Sequence, residues 1–155
     1  MSSGARDRGD EDGPSPELTS RLGYLFKHAR LRLSELTGAA LEPYGVDGRD
    51  LAVLTVLAAN EQASQLQLAR RLGVDRTTMV ALLDGLQRRG LVTRRAHSED
   101  RRRNAVELTA TGREVFERAT EAGDEAERRF LAPLTQRDAE QLRQALRLLI
   151  RPEHE

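Results

Sequence analysis

At 155 residues the chain is long enough for one domain with a real core, and its 25 basic residues balance its 25 acidic ones. Any affinity for a polyanion must therefore come from the placement of charge, not from an overall excess. Cysteine is absent, which excludes disulfides, thiolate metal sites, iron–sulfur clusters and thiol redox sensing.

The first stretch, "MSSGARDRGDEDGPSP", is polar, rich in Gly, Ser and Pro, and without hydrophobic periodicity, so residues 1–14 read as a disordered arm. It has no apolar signal-peptide core, and no run in the chain nears the roughly 18 apolar residues of a membrane span. A soluble, cytoplasmic protein with no membrane partner is expected. Helical periodicity begins where Ser15 can cap and Pro16 can occupy the first turn. Leu18, Leu22, Leu25, Phe26, Ala29, Leu33 and Leu36 then recur at three- and four-residue spacing, predicting a helix to about Leu41 that "EPYG" breaks.

Asp47 and Asp50 suit the N-cap and third position of a second, strongly apolar helix, "LAVLTVLAA". Ser64 and Gln67 make a capping box for a third helix, which Gly73 ends and whose packing face is expected to comprise Leu66, Leu68, Ala69 and Leu72. Asp75 can cap a fourth helix, "RTTMVALLDGLQRRG", burying Met79, Leu82, Leu83 and Leu86. Two short strands follow, "LVTRR" and "RNAVELT". Thr109 can cap a long fifth helix through Phe130, and Thr135 with Asp138 a sixth whose apolar face is Leu142, Ala145, Leu146, Leu149 and Ile150. The predicted order is ααααββαα.

Only "GVD" joins the third and fourth helices, so they must cross steeply, as in a helix-turn-helix. On the fourth helix the apolar stripe leaves Arg76, Thr77, Val80, Ala81 and Asp84 on other faces, with Thr78 and Gly85 beside them. Small and hydroxyl side chains there allow close approach to base edges: threonine bonds either base type, and Ala or Val can touch a thymine methyl. Ser64 and Gln65, at the start of the third helix, join this candidate DNA-binding surface.

Charge is also concentrated here. Residues 86–103 hold seven arginines against Glu99 and Asp100, a local net of +5, while residues 1–20 carry a net of −3. A hairpin directly after a recognition helix, with arginines in its loop, is a winged helix-turn-helix. Arg94, Arg95, Arg101, Arg102 and Arg103 become candidate contacts to phosphates or the minor groove, where the guanidinium fork suits both. Asp100 could hold the stem of Arg102 and so stabilise the wing.

The stretch "LARRLGVDRTTMVALLDGLQRRGLVTRRAHSEDRRRNAVELTATG" resembles the MarR (multiple antibiotic resistance regulator) family of bacterial transcription factors. Its specific part is the wing signature: Asp100, Arg102 two residues later, Leu108 and Thr109 closing the second strand, and Gly112 after them. The resemblance covers residues from about 17 to 150. It implies a homodimer on a pseudo-palindromic duplex, with residues 15–44 and 111–150 as dimerisation helices around a winged helix-turn-helix at 45–110. It also implies a repressor released from its operator by a small, anionic or aromatic ligand. Tyr24 and His28, one helical turn apart, with Tyr44 and either Arg30 or Arg32 near them in sequence, are the candidate ligand contacts. Val80 and Ala81 depart from the family pattern, which commonly has a polar residue and an arginine at these positions. Gly85 replaces a commonly larger residue.

His28, His97 and His154 lack metal-ligand spacing, and no phosphate loop or nucleophile–base arrangement is present, so no metal, cofactor or enzymatic activity is expected. A rival reading is a helical dimer that acts through protein or RNA partners by way of its basic hairpin.

Overall fold

The computed structural model describes residues 14–97 and 100–152, and for residues 96–97 and 100–104 the backbone alone. The predicted arm thus lies almost wholly outside the described residues. Six α-helices and three strands follow in chain order: α1 (Leu22–Leu41), α2 (Gly48–Asn60), β1 (Gln62–Ser64), α3 (Gln65–Leu72), α4 (Arg76–Arg88), β2 (Val92–His97), β3 (Asp100–Leu108), α5 (Ala110–Leu131) and α6 (Gln136–Leu149), with a 3₁₀ turn at Glu42–Tyr44. The chain divides into two compact units, residues 1–32 and 33–155.

In the first unit, α1 starts six residues later than the sequence pattern suggests. The Ser15 hydroxyl donates to Glu17 Oε2 at 2.6 Å instead of capping a helix, and the Ser15 amide donates to the Tyr24 hydroxyl at 2.8 Å. Leu18 N and Arg21 N bond carbonyls three residues back, and Leu25 N to Arg21 O is the first four-residue bond. Residues 16–20 are therefore a turn, and α1 is 20 residues long rather than about 25.

In the second unit, local chemistry fixes most boundaries. Asp47 caps α2 in a reciprocal box: Asp50 N donates to Asp47 Oδ1 at 2.9 Å, and Asp47 N donates to Asp50 Oδ2 at 3.0 Å. Glu61, at φ 57°, ends α2 and turns the chain into β1. The sheet order is β1-β3-β2, all antiparallel, with Ala63 opposite Val106 and Arg94 opposite Val106 on the other side. β1 is absent from the predicted order. Three residues without β-branching give no two-residue alternation, and β3's free edge is what draws them into pairing.

The core gathers Leu41, Val53, Leu54, Leu57, Leu68, Met79, Leu83, Leu86, Val92 and Val106, each almost fully buried. At about 1.5–3 kcal/mol for each large aliphatic side chain removed from water, this cluster is the main force holding the helix-turn-helix to the sheet. Leu66 does not join it, being 58% exposed. Positions two apart on a helix lie about 200° apart around its axis, so Leu66 and Leu68 cannot share a face.

α5 is clamped to the α4–β2 turn. The Thr109 hydroxyl donates to Gly90 O at 2.6 Å and accepts from Gly112 N at 2.9 Å, while Thr109 N donates to Leu91 O at 3.1 Å. A Cβ on Gly112 would sit 1.9 Å from Leu91 O, so only glycine fits. α6 is tied to α5 by Arg143 to Glu127 at 3.2 Å, yet Leu148, Leu149 and Ile150 are 64–77% exposed.

Candidate nucleic-acid interface

The helix-turn-helix is built from its caps. Ser64 Oγ accepts from Gln67 N, and Gln67 Oε1 accepts from Ser64 N, closing the predicted box at the start of α3. Gly73, at φ 65°, stops α3, and Val74 N bonds back to Ala69 O. Asp75 then caps α4, accepting from Thr78 N at 2.7 Å. The bonds from the Thr78 amide and hydroxyl hold the Asp75 carboxyl below its ordinary range.

Met79, Leu83 and Leu86 anchor the inner stripe of α4, with Leu82 half-buried beside them. The opposite stripe, Thr77, Ala81, Asp84 and Arg88, is exposed, and so is Arg76. Thr78 and Val80 are half-buried. The two threonines therefore differ: the Thr78 hydroxyl is engaged with Asp75, whereas Thr77 faces outward from the first turn. Ser64 and Gln65 are half-buried at the start of α3, and Gln65 Oε1 has no hydrogen-bond partner among the described residues.

The two arginines of the hairpin whose side chains are described are held differently. Arg94, in the root of β2, is paired with Asp84 on α4 and is only 20% exposed. It ties β2 to α4. Arg95 pairs with Glu107 of β3 at 2.9 Å but keeps 77% of its side chain exposed. The side chains of Asp100, Arg101, Arg102 and Arg103 lie outside the described residues. Their backbone belongs to β3, whose register with β2 shifts between Ala96 and His97. Neither ion pair is visible as a motif, because the first forms only when β2 packs beside α4 and the second only across the β2–β3 hairpin.

Of the candidate ligand residues, Tyr24 and His28 do share a face of α1, with ring centroids 4.2 Å apart and planes tilted by 44°. Arg32 follows one turn on. Tyr44, half-buried, packs against the apolar core of the second unit. Among the described residues no group of His and carboxylate side chains is placed to hold a metal ion, and no helix is long and apolar enough to cross a membrane.

Two helices, α3 and α4, joined by a three-residue turn and packed together, an exposed stripe along α4 and a basic antiparallel hairpin define a winged helix-turn-helix. A sequence model of the MarR family matches residues 44–103. Over 60 residues the chain is 43% identical to the helix-turn-helix transcriptional repressor YetL of Bacillus subtilis, a match spanning 39% of this chain and 36% of that protein. Two solved structures are similar over nearly their whole length. A "probable transcriptional regulator" from Pseudomonas aeruginosa is 32% identical, with TM-score 0.81, covering 86% of this chain and 99% of that one. The transcriptional repressor CouR bound to a 23-mer DNA duplex is 33% identical, with TM-score 0.83, covering 88% and 96%. CouR from Rhodococcus jostii RHA1 has also been solved bound to p-coumaroyl-CoA, at 27% identity and TM-score 0.79 over 91% of this chain and 99% of that one. The chain belongs to the MarR family.

Proposed function

We propose that the protein is a dimeric transcriptional repressor that binds a pseudo-palindromic DNA operator and is released by a small anionic or aromatic ligand. One observation carries the DNA reading: α4 presents Arg76, Thr77 and Ala81 outward while Arg94 pins the basic hairpin to its flank through Asp84. Helix and wing are thereby held as one surface, which is what simultaneous contact with a major groove and the neighbouring backbone requires. A DNA-bound relative of 33% identity supports this assignment.

Within that surface Thr77 is the principal base contact of α4, with Ala81 and Val80 offering apolar contact to thymine methyls. Arg76, Thr78, Ser64 and Gln65 complete the surface next to it. Arg101, Arg102 and Arg103 supply the wing's grip on phosphate or minor groove, and Arg95 adds to it when it exchanges Glu107 for phosphate. Arg94 acts chiefly as the hinge pin. Dimerisation is supported by the exposed apolar stripes: Leu18, Leu22, Leu25 and Phe26 in the first unit, and Leu142, Leu148, Leu149 and Ile150 in the second. Tyr24, His28 and Arg32, spaced by single turns on α1, are the proposed effector contacts, and the p-coumaroyl-CoA complex of a relative supports a ligand-controlled step.

Titration against duplex DNA, duplex RNA and an acidic protein at matched salt tests the reading. Tight binding to selected duplex DNA, well above the other two, is expected. Preference for RNA or the acidic protein would instead support a hairpin that acts through those partners.

A further inference from the structure

We propose that Arg89 is a positioning residue for DNA recognition: it locks the C-terminal end of α4 to the N-terminus of α2, across a small residue at position 85. The inference rests on α4 being the DNA-reading helix. It concerns a residue that need not touch DNA at all.

An arginine just past a helix end ordinarily satisfies the last carbonyls of its own helix. Arg89 does this and more. Its Nε donates to Gly85 O at 3.0 Å, and its Nη1 crosses to the α2 side, donating to Gly45 O and to Asp50 Oδ2 at 3.1 Å. The Asp50 side chain is only 8% exposed, and the same oxygen accepts from Asp47 N at 3.0 Å. One carboxylate thus caps α2 and receives the cation from α4. Among the described residues Asp50 is the charged residue that is buried. Removing the partner of a buried charge is costly, so the pair enforces one arrangement of the two helices.

The small residue at 85 leaves room for the arrangement. A Cβ there would come within 3.5 Å of Arg89 Nη2, an ordinary contact, so alanine fits. A longer side chain would take the space over which the guanidinium lies. The arrangement calls for a small residue here and does not explain glycine over alanine, a choice that costs roughly 1 kcal/mol of helix propensity. Together with the Arg94–Asp84 pair, α4 is held by directional charged contacts at its end and at its middle. Apolar packing alone fixes helix rotation less sharply than such contacts, and base readout tolerates little error in placement.

The test compares a duplex selected from random DNA with unselected duplex, over several salt concentrations and well below each variant's melting temperature. Wild type must first prefer the selected duplex. If it does not, the DNA reading itself fails and this inference falls with it. Given that preference, Arg89→Gln should weaken selected-duplex binding roughly three- to thirtyfold, with unselected binding and the salt slope unchanged. Asp50→Asn should give a similar weakening, and the double variant no further one. Gly85→Met should reproduce the Arg89→Gln behaviour in a chain whose arginine and aspartate are intact. Gly85→Ala should bind as wild type, and Arg89→Lys should recover part of the affinity. Equal weakening on both duplexes, with a slope shallower by about one per protomer, would make Arg89 a phosphate-binding residue instead. Unchanged binding in both Arg89→Gln and Gly85→Met would overturn the proposal outright.

Discussion

At the scale of residues, the proposed interface separates groups that read DNA from groups that hold the helices in place. Thr77 is exposed on the first turn of α4, while its neighbour Thr78 is committed to the Asp75 cap. Thr77→Ala is accordingly expected to narrow the gap between operator and random duplex, by about 1 kcal/mol per protomer for one hydrogen bond, with the salt slope intact. Arg102→Ala should do the reverse, weakening both duplexes and making the slope shallower by about 1 per protomer for each phosphate it no longer neutralises. Salt-dependent titrations of the two variants check both outcomes. Gly112 is a holding residue of a different kind, since a methyl group there would strike Leu91 O at 1.9 Å. Gly112→Ala should destabilise the fold by about 3 kcal/mol or more, measured by chemical denaturation, because overpacking against backbone leaves little room to relax. The glycine is legible in the sequence as part of the wing signature. Its reason is not, because the obstructing carbonyl belongs to Leu91, in the turn that precedes the whole hairpin.

At the scale of elements, the caps account for most of what the sequence discloses. Asp47 with Asp50, Ser64 with Gln67, Asp75, Thr109 and Thr135 all start helices where the pattern places them, because a side-chain acceptor three residues before a free amide is a purely local arrangement. Elements that depend on partners distant in sequence are less visible. β1 needs the edge of β3, and the start of α1 depends on Ser15 bonding Glu17 and the Tyr24 hydroxyl instead of the helix. Leu66 is different again: its apolar character suggests the packing face of α3, but its angular position sets it opposite Leu68, and helical geometry alone resolves that conflict. The α4 cap also carries a pH dependence. Asp75 has its pKa lowered by the Thr78 amide and hydroxyl, so its stabilising effect is present above the ordinary aspartate value of 3.8 and is lost as pH falls through the lower folded value. Asp75→Ala should therefore melt below wild type at neutral pH, with the difference closing in acid. Asp75→Asn, still able to cap, should retain most of the stability without that titration. Thermal melts across the acid range up to neutral pH check the sign.

At the scale of the whole molecule, the chain combines one proposed DNA-reading surface with apolar stripes that a single copy leaves in water. Leu22 is 69% exposed, and Leu149 and Ile150 are 72% and 77% exposed. In the proposed two-fold dimer, burial of such side chains against a second copy is the driving force, and the two-fold symmetry would be matched by inverted symmetry in the DNA site. Leu149→Glu with Ile150→Glu should shift the sedimenting species from dimer toward monomer at micromolar concentration and weaken operator binding in parallel. A dimer that reads DNA through paired winged helices is most directly tested by selecting binding sites for the full chain from random duplex DNA. An inverted repeat whose half-site centres lie about 10 bp apart, one turn of the duplex, should be enriched. No enriched sequence, or a lone half-site bound at full affinity by a monomer, would contradict it.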